Sequence, residues 1–284
     1  MLSLISAELL KIRKRRANWI MFGIFLLFAA FFLIAIRPII AADDGRESIE
    51  FVRANEVMRF PKGFALLIGM VSQMGRWILI VFAALLVGSE FGWGTVRQVM
   101  ARGASRNGYL FAKLVAMIIT IILAMILTLV IGSGFMVTGD LLLGEWNPDL
   151  PAGFVSDLAG DTFRTFGMAA LFALLAFCIT LLSKSPGMGM GLGFVYLFVE
   201  AIFIGLFRFF GGFWQDISGY FLTSLSNAVM SANKIDLGRF FGGPPGAIND
   251  RDPLEAGLLL AFYVVVLLAV SFWVFNRRDI VGES

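Results

Sequence analysis

The chain has 284 residues, of which 59% are hydrophobic and only 15% charged, with mean hydropathy +0.86 and a formal net charge of +3. Such a composition excludes an ordinary soluble domain and predicts an all-α integral membrane protein. With no histidine and one cysteine, Cys178, inside an apolar run, it also excludes a His general base, a Cys/His zinc site and an intrachain disulfide. No Gly-x-x-x-x-Gly-Lys-Ser/Thr run is present to cradle a phosphate, so any ATP used must be bound by another chain. No resident cofactor, metal or catalytic residue is expected.

Residues 1–16 place Leu2, Ile5, Leu9 and Ile12 on one helical face, with Glu8 and a run of basic residues mostly around the other. That pattern predicts an amphipathic helix lying in the membrane interface, in contact with lipid. The first apolar run, at about 18–37, is long enough to span and too long for the apolar region of a signal peptide, although Ala41 could mimic a cleavage site. Residues 37–63 mix five basic with five acidic side chains and predict an outer loop, partly helical from Ser48 to Met58.

A second span is expected at 68–89, with Ser72, Gln73 and Arg76 interrupting its apolar run. The stretch 89–106, SEFGWGTVRQVMARGASR, sets Glu90, Arg97, Arg102 and Arg106 among Phe91, Trp93, Val96 and Met100. That spacing predicts an amphipathic segment suited to docking on a partner. A plain connection between antiparallel spans needs only about 2–8 residues. The alternative is a basic turn resting on lipid headgroups.

The third span is expected at 109–137, opened by Lys113, and is followed by a wholly acidic outer loop at 138–163. A fourth at 165–183 and a fifth at 187–207 are joined by the tight turn Ser183-Lys184-Ser185-Pro186. Gly187, Gly189, Gly191 and Gly193 favour close helix packing there over substrate contact. Residues 208–254 predict an outer region with a surface helix hinged at Gly211-Gly212 and a turn at Arg239 to Pro245. The sixth span, 255–276, is stopped by Arg277 and Arg278.

Charge sets the expected orientation. Lys11, Arg13, Lys14, Arg15, Arg16, Arg97, Arg102, Arg106, Lys113, Lys184, Arg277 and Arg278 fall on one side, against Glu8, Glu90, Asp279 and Glu283. The opposite side carries the acidic excess, so both termini are expected in the cytoplasm. The membrane accounts for the basic excess, and nucleic acid needs no part.

The run S-E-F-G-W-G-T-V-R from Ser89, the following R-G-A-S-R and Lys113 resemble the cytoplasmic loop of type-2 ABC exporter permeases. So do Glu8-Leu9-Leu10-Lys11-Ile12-Arg13 and Phe275-Asn276-Arg277-Arg278-Asp279-Ile280, so the resemblance touches both ends and the middle. It implies a coupling helix at 89–106 seated in a groove of a separate ATPase subunit, with Glu90, Phe91, Trp93, Val96, Arg97, Met100, Arg102 and Arg106 as its coupling residues. It further implies a bacterial cytoplasmic-membrane transporter built from two permeases, identical or homologous, and two ATPase subunits that bind the ATP. A short re-entrant hairpin after the fifth span belongs to the same expectation.

Arg76 and Glu200 are the charges with no evident reason to be in the bilayer. Counted from the cytoplasmic ends of their spans, both sit roughly 18–20 Å deep. An unpaired charge at mid-membrane is disfavoured by about 2.5–3.5 kcal/mol or more, which predicts that the two meet. The resemblance would place them in the translocation pathway, lined by the second and fifth spans. Snorkelling of Arg76, with Glu200 satisfied locally, is the alternative. Other functions left open are a secondary transporter or channel, and a non-transporting membrane anchor. Substrate identity is not legible in the sequence.

Overall fold

The computed structural model describes residues 1–37, 55, 57–233 and 251–277. Among them the secondary structure is helical, with no strand. Ten helices follow in order: α1 Leu2–Lys14, α2 Arg16–Ile36, α3 Gly63–Gly92, α4 Thr95–Ala101, α5 Arg106–Leu142, α6 Phe154–Ser183, α7 Pro186–Phe210, α8 Phe213–Ser218, α9 Leu222–Met230 and α10 Pro253–Arg277. Six of these, α2, α3, α5, α6, α7 and α10, are long and apolar enough to cross a membrane, so the six-span architecture stands. The expected helix over Ser48 to Met58, the turn at Arg239 to Pro245 and the stop at Arg278 lie wholly or largely outside the described residues.

The spanning helices run past the apolar cores that identify them, because polar caps rather than apolar composition decide where a helix stops. Ser105 accepts the Gly108 N–H at the start of α5. Ser185 does the same for Met188, with Pro186 at the first turn of α7. α5 continues five residues beyond the expected end of its span, and α6 begins within the acidic stretch read from the sequence as loop. α2 and α3 each contain a widened π turn, at Phe31–Ile36 and Val71–Gly75.

Helix α6 is the hub. Two-thirds of its apolar stretch (67%) is buried within the subunit, against 17% for α2 and for α7, so the latter two offer most of their surface to lipid or to another chain. The hub packs closely on α3 and α7. A methyl at Gly193 of α7 would stand 2.7 Å from Ile80 of α3, and one at Gly88 would stand 2.5 Å from the Pro186 backbone. Of the four glycines at the start of α7, Gly189 faces Thr180 and Gly193 faces Ile80, while Gly191 opens outward. Small residues thus set helix spacing here, as the sequence suggested.

The bundle is tied at both ends. At the end remote from α4, the fully buried Arg37 donates from Nε to Asn55 Oδ1 at 2.9 Å and pairs with Asp140 and, at 2.9 Å, with Glu145. Arg59 reaches Glu145 at 2.7 Å, and Asp140 accepts the Phe60 N–H at 3.1 Å. The Leu33 carbonyl lies 2.7 Å from where a Cβ on Gly139 would be, so only glycine lets α2 and α5 approach this closely. Burial alone would raise the Glu145 carboxyl, but its bonds to Arg59 and the charge of Arg37 hold it below the usual carboxylate range.

Candidate functional site

The connection from α3 to α5 is a small built unit. α3 ends at Gly92, and Gly94, at φ +66°, turns the chain through the left-handed region into α4. Gly103, at φ +86°, turns it out again before the Ser105 cap. Both turns need a residue without a Cβ, which is why the glycines of GWG and RG stand there.

α4 is amphipathic, and its apolar side faces its own subunit. Val96 is 2% exposed and belongs to the main core, with Phe91, Val99 and Met100 packed against that core. Trp93, 68% exposed, stands on the outer side with Arg97, Gln98 and Arg102. The sequence reading assigned Phe91, Val96 and Met100 to a partner together with Trp93. The structure separates them, because a seven-residue helix lying on a bundle end must bury its apolar stripe on the bundle before it can offer anything outward.

A largely buried ring of charges joins the end of α3 that leads into α4 to α1 and α5. Lys113 Nζ, on the first turns of α5, reaches Glu8 at 2.8 Å and Glu90 at 3.0 Å, and also donates to the Leu86 carbonyl at 3.3 Å. Lys11 Nζ bridges the same two carboxylates, at 2.6 Å to Glu8 and 2.8 Å to Glu90. The Tyr109 hydroxyl donates to the other Glu90 oxygen, and Lys113 lies over the Tyr109 ring. Two ammonium groups against two carboxylates leave the ring neutral, with each carboxylate oxygen bonded; such completeness lets charges remain in a dry interior. Lys11 is half-exposed. Its partial burial disfavours the charged form, but the bonds to Glu8 and Glu90 outweigh this and raise its pKa above the usual lysine value.

The ring corrects two expectations. Glu90, implied by the resemblance as a coupling residue, does not face outward to a partner; it is 2% exposed and committed inward. Helix α1 does not turn Glu8 outward on a polar side. Glu8 and Ile12 are buried against the bundle and Leu9 packs on the core, whereas Leu2 is exposed. At Arg15 the backbone leaves the helix, and this guanidinium donates to the Leu85 carbonyl at 2.8 Å and lies over the Trp93 ring at 5.4 Å. Arg106, opening α5, donates to the Asn276 carbonyl at 2.8 Å, and Asn276 bonds Asn107 at 2.7 Å. Thus α1, the α4 unit and the end of α10 meet at one end of the bundle.

Glu8, Lys11, Lys113 and Tyr109 were not picked out as site residues from sequence. The available signal was their spacing. Glu8 and Lys11 stand three apart and Tyr109 and Lys113 four apart, each pair on one helical face with apolar neighbours.

Arg76 and Glu200 are not brought into ion-pair contact within the subunit. Glu200, 3% exposed, accepts the Thr223 N–H at 2.7 Å and the Thr223 hydroxyl at 2.6 Å, at the first turn of α9. Arg76 donates to the carbonyl and side chain of Gln73, in the π turn of α3, and its guanidinium stands 5.8 Å from the Phe172 ring centre. Glu200 is near enough to be felt electrostatically. Among the described residues there is no cluster of His, Cys, Asp and Glu able to hold a metal ion.

Residues 4–200, which include most of α1, α4, the charge ring, Arg76 and Glu200, match the family described as ABC-2 family transporter protein. The chain is also 26% identical over 212 residues to the uncharacterized protein YhcI of Bacillus subtilis (strain 168), a stretch covering 71% of this chain and 63% of that relative. With six helices long and apolar enough to cross a membrane and a family match over more than half its length, the chain belongs to the ABC-2 transporter family and is a multi-pass membrane protein.

Proposed function

We propose that this chain is the permease subunit of an ATP-driven exporter. Two such permeases, identical or homologous, form the translocation pathway in the bacterial cytoplasmic membrane, and two separate ATPase subunits dock beneath them. The observation that carries this is the α4 unit: a short helix fixed by its apolar side to the core, presenting Trp93, Arg97 and Arg102 outward and following an α3 end whose Glu90 is tied by ion pairs to α1 and α5. A helix so anchored cannot swivel independently, so a push on its outer face passes to α3, α5 and α1 together. The excess of basic residues at this end supports a cytoplasmic placement, where ATP is available. Neither a secondary transporter nor a passive anchor needs such a rigidly seated outward helix.

Co-expression with a nucleotide-binding subunit tests the proposal. Capture of the permease should bring the ATPase with it, and Trp93→Ala combined with Arg97→Glu should release the ATPase while the permease remains folded. A complex as stable with the double variant as without it removes α4 from the docking surface.

A further inference from the structure

Trp77, the residue after Arg76, packs against Phe194 and Phe198 of α7 with ring centres 5.5 and 5.4 Å apart, so this level of the subunit is aromatic. Beside it stand the polar residues of α3. Gln73 is exposed and Ser72 and Arg76 half-exposed at the surface of a single subunit. Arg76 lies 16 residues from Gly92 and 13 from Gly63, about 24 Å and 20 Å along the helix axis. A polar patch at that depth does not face acyl chains; it faces a water-filled space or another polar surface.

The patch carries a net positive charge that the subunit does not neutralise by contact. Among the described residues no carboxylate lies within ion-pair distance of Arg76. The nearest, Glu200, spends both oxygens on Thr223. The guanidinium is also held. Its Nε donates to the Gln73 carbonyl at 3.2 Å in the π turn, and a terminal nitrogen donates to the Gln73 side chain. A widened turn is a common way for a spanning helix to place a polar group for function. The fork so anchored keeps further N–H groups for an acceptor.

We propose that Gln73 and Arg76 form a mid-membrane site for an oxyanion, a phosphate or carboxylate, carried by an amphiphilic molecule whose apolar part rests on the neighbouring aromatic and aliphatic surface. This deepens the transport proposal, on which it rests for its place in the pathway, by naming the substrate class. The planar guanidinium suits bidentate binding of such a group. The half-exposed Phe194 beside Trp77, and the buried Phe172 beneath Arg76, supply the apolar setting in which that charge-assisted bond is strong.

The test uses the full chain in phosphatidylcholine nanodiscs, with dodecyl phosphate, dodecyltrimethylammonium and inorganic phosphate as probes. Dodecyl phosphate should bind the unaltered chain, roughly tenfold or more weakly Arg76→Gln, and with intermediate affinity Arg76→Lys. Thermal melting of each variant separates lost binding from lost fold, and Gln73→Ala should weaken binding with little effect on melting. Displacement by millimolar inorganic phosphate supports a site that takes the free oxyanion; displacement only by excess dodecyl phosphate supports one that needs the amphiphile. Equal binding of the cationic and anionic amphiphiles, or unchanged affinity in Arg76→Gln, overturns the proposal. So does a Gln73→Cys disulfide between two copies in a Cys178→Ala background, since the patch would then be covered by its partner. The assay contains no ATPase and measures no transport, so its failure leaves the docking proposal standing, and loss of docking leaves this site standing.

Discussion

Lys113 and Glu8, 105 positions apart in the chain, meet at 2.8 Å in a site where neither is more than 5% exposed. The contact fastens the N-terminal helix to the third spanning helix, and Lys113 also holds Glu90 at the end of α3 that leads into the segment proposed to meet the ATPase. Removing one partner of a buried pair leaves a charge without compensation and costs about 3–5 kcal/mol, whereas replacing the whole set by apolar groups is often neutral. Lys113→Met is therefore expected to lower the thermal midpoint of the purified permease sharply, because Glu8 and Glu90 both lose a bond. Lys11→Met should cost much less, since Lys11 is half-exposed and Lys113 still bridges both carboxylates. Equal midpoints for Lys113→Met and the unaltered chain would show that the ring is not a fastening.

The division of α4 into two faces predicts two kinds of variant. Trp93→Ala and Arg102→Glu should leave melting within about 0.5 kcal/mol of the unaltered chain, as surface changes usually do, while reducing ATPase-coupled transport. Val96→Asp places a carboxylate in a position 2% exposed and should destabilise the permease itself by several kcal/mol, on the order of the cost of burying an unpaired polar group. As coupling residues implied by the resemblance, Val96 and Met100 would be expected to tolerate substitution with loss of coupling and not of the fold. The structure reverses that expectation for Val96, and a Val96→Asp permease that melts normally would restore it.

What could be read from the sequence divides along a physical line. The spans were legible because bilayer thickness imposes about 20 apolar residues on each crossing helix regardless of its neighbours. The amphipathic character of 95–101 was legible for a similar reason, since helical period shows in one segment. Which side of α4 meets which surface depends on the core that Val96 shares with residues of other helices, Tyr109, Leu110 and Leu114 of α5 among them, and no local pattern records that. Glu8 illustrates the same limit. On a helical wheel it belongs to a charged face, but its partners Lys113 and Glu90 arrive from two other helices and make burial tolerable. Arg76 and Glu200 stand out in the sequence as costly charges counted to similar depth. Their pairing was inferred from scarcity of alternatives, and the Thr223 N–H, freed at the start of a short helix, was an alternative that charge counting does not see.

The clamp at the far end gives a pH dependence. The Glu145 carboxyl is held below its ordinary value by Arg59 and Arg37, so its folded-state pKa is depressed relative to the unfolded chain. A depressed carboxylate contributes stability that is fully present above the unfolded value, about 4.5, and is lost as pH falls through the lower folded value. Between pH 8 and 6 this group should therefore change nothing. Below about pH 4.5 the unaltered chain should lose thermal stability more steeply than Glu145→Gln, which has nothing to protonate there. Parallel acid profiles for the two would show that Glu145 contributes no net stabilisation through its charge.

Glu200 makes the last prediction. Its two oxygens accept the backbone N–H and the hydroxyl of Thr223, so a side chain of α7 supplies the cap that α9 does not provide for itself. A helix start left with unsatisfied N–H groups in an apolar setting is costly, and substituting a cap residue by alanine ordinarily costs about 0.5–2 kcal/mol. Glu200→Ala should thus loosen α9 first, which hydrogen exchange would register at Leu222–Met230 before the spanning helices open. Glu200→Gln keeps one acceptor and should retain part of the protection. If the Thr223 hydroxyl bond is the partnership that matters, Glu200→Ala and Thr223→Ala will be non-additive, the double variant being little worse than Glu200→Ala alone. The competing arrangement, with Glu200 serving chiefly as the counter-charge of Arg76, predicts instead that exchanging the two charges restores function lost in each single variant. Restoration by that exchange, with additive effects of Glu200→Ala and Thr223→Ala, would transfer Glu200 from the cap to the pathway.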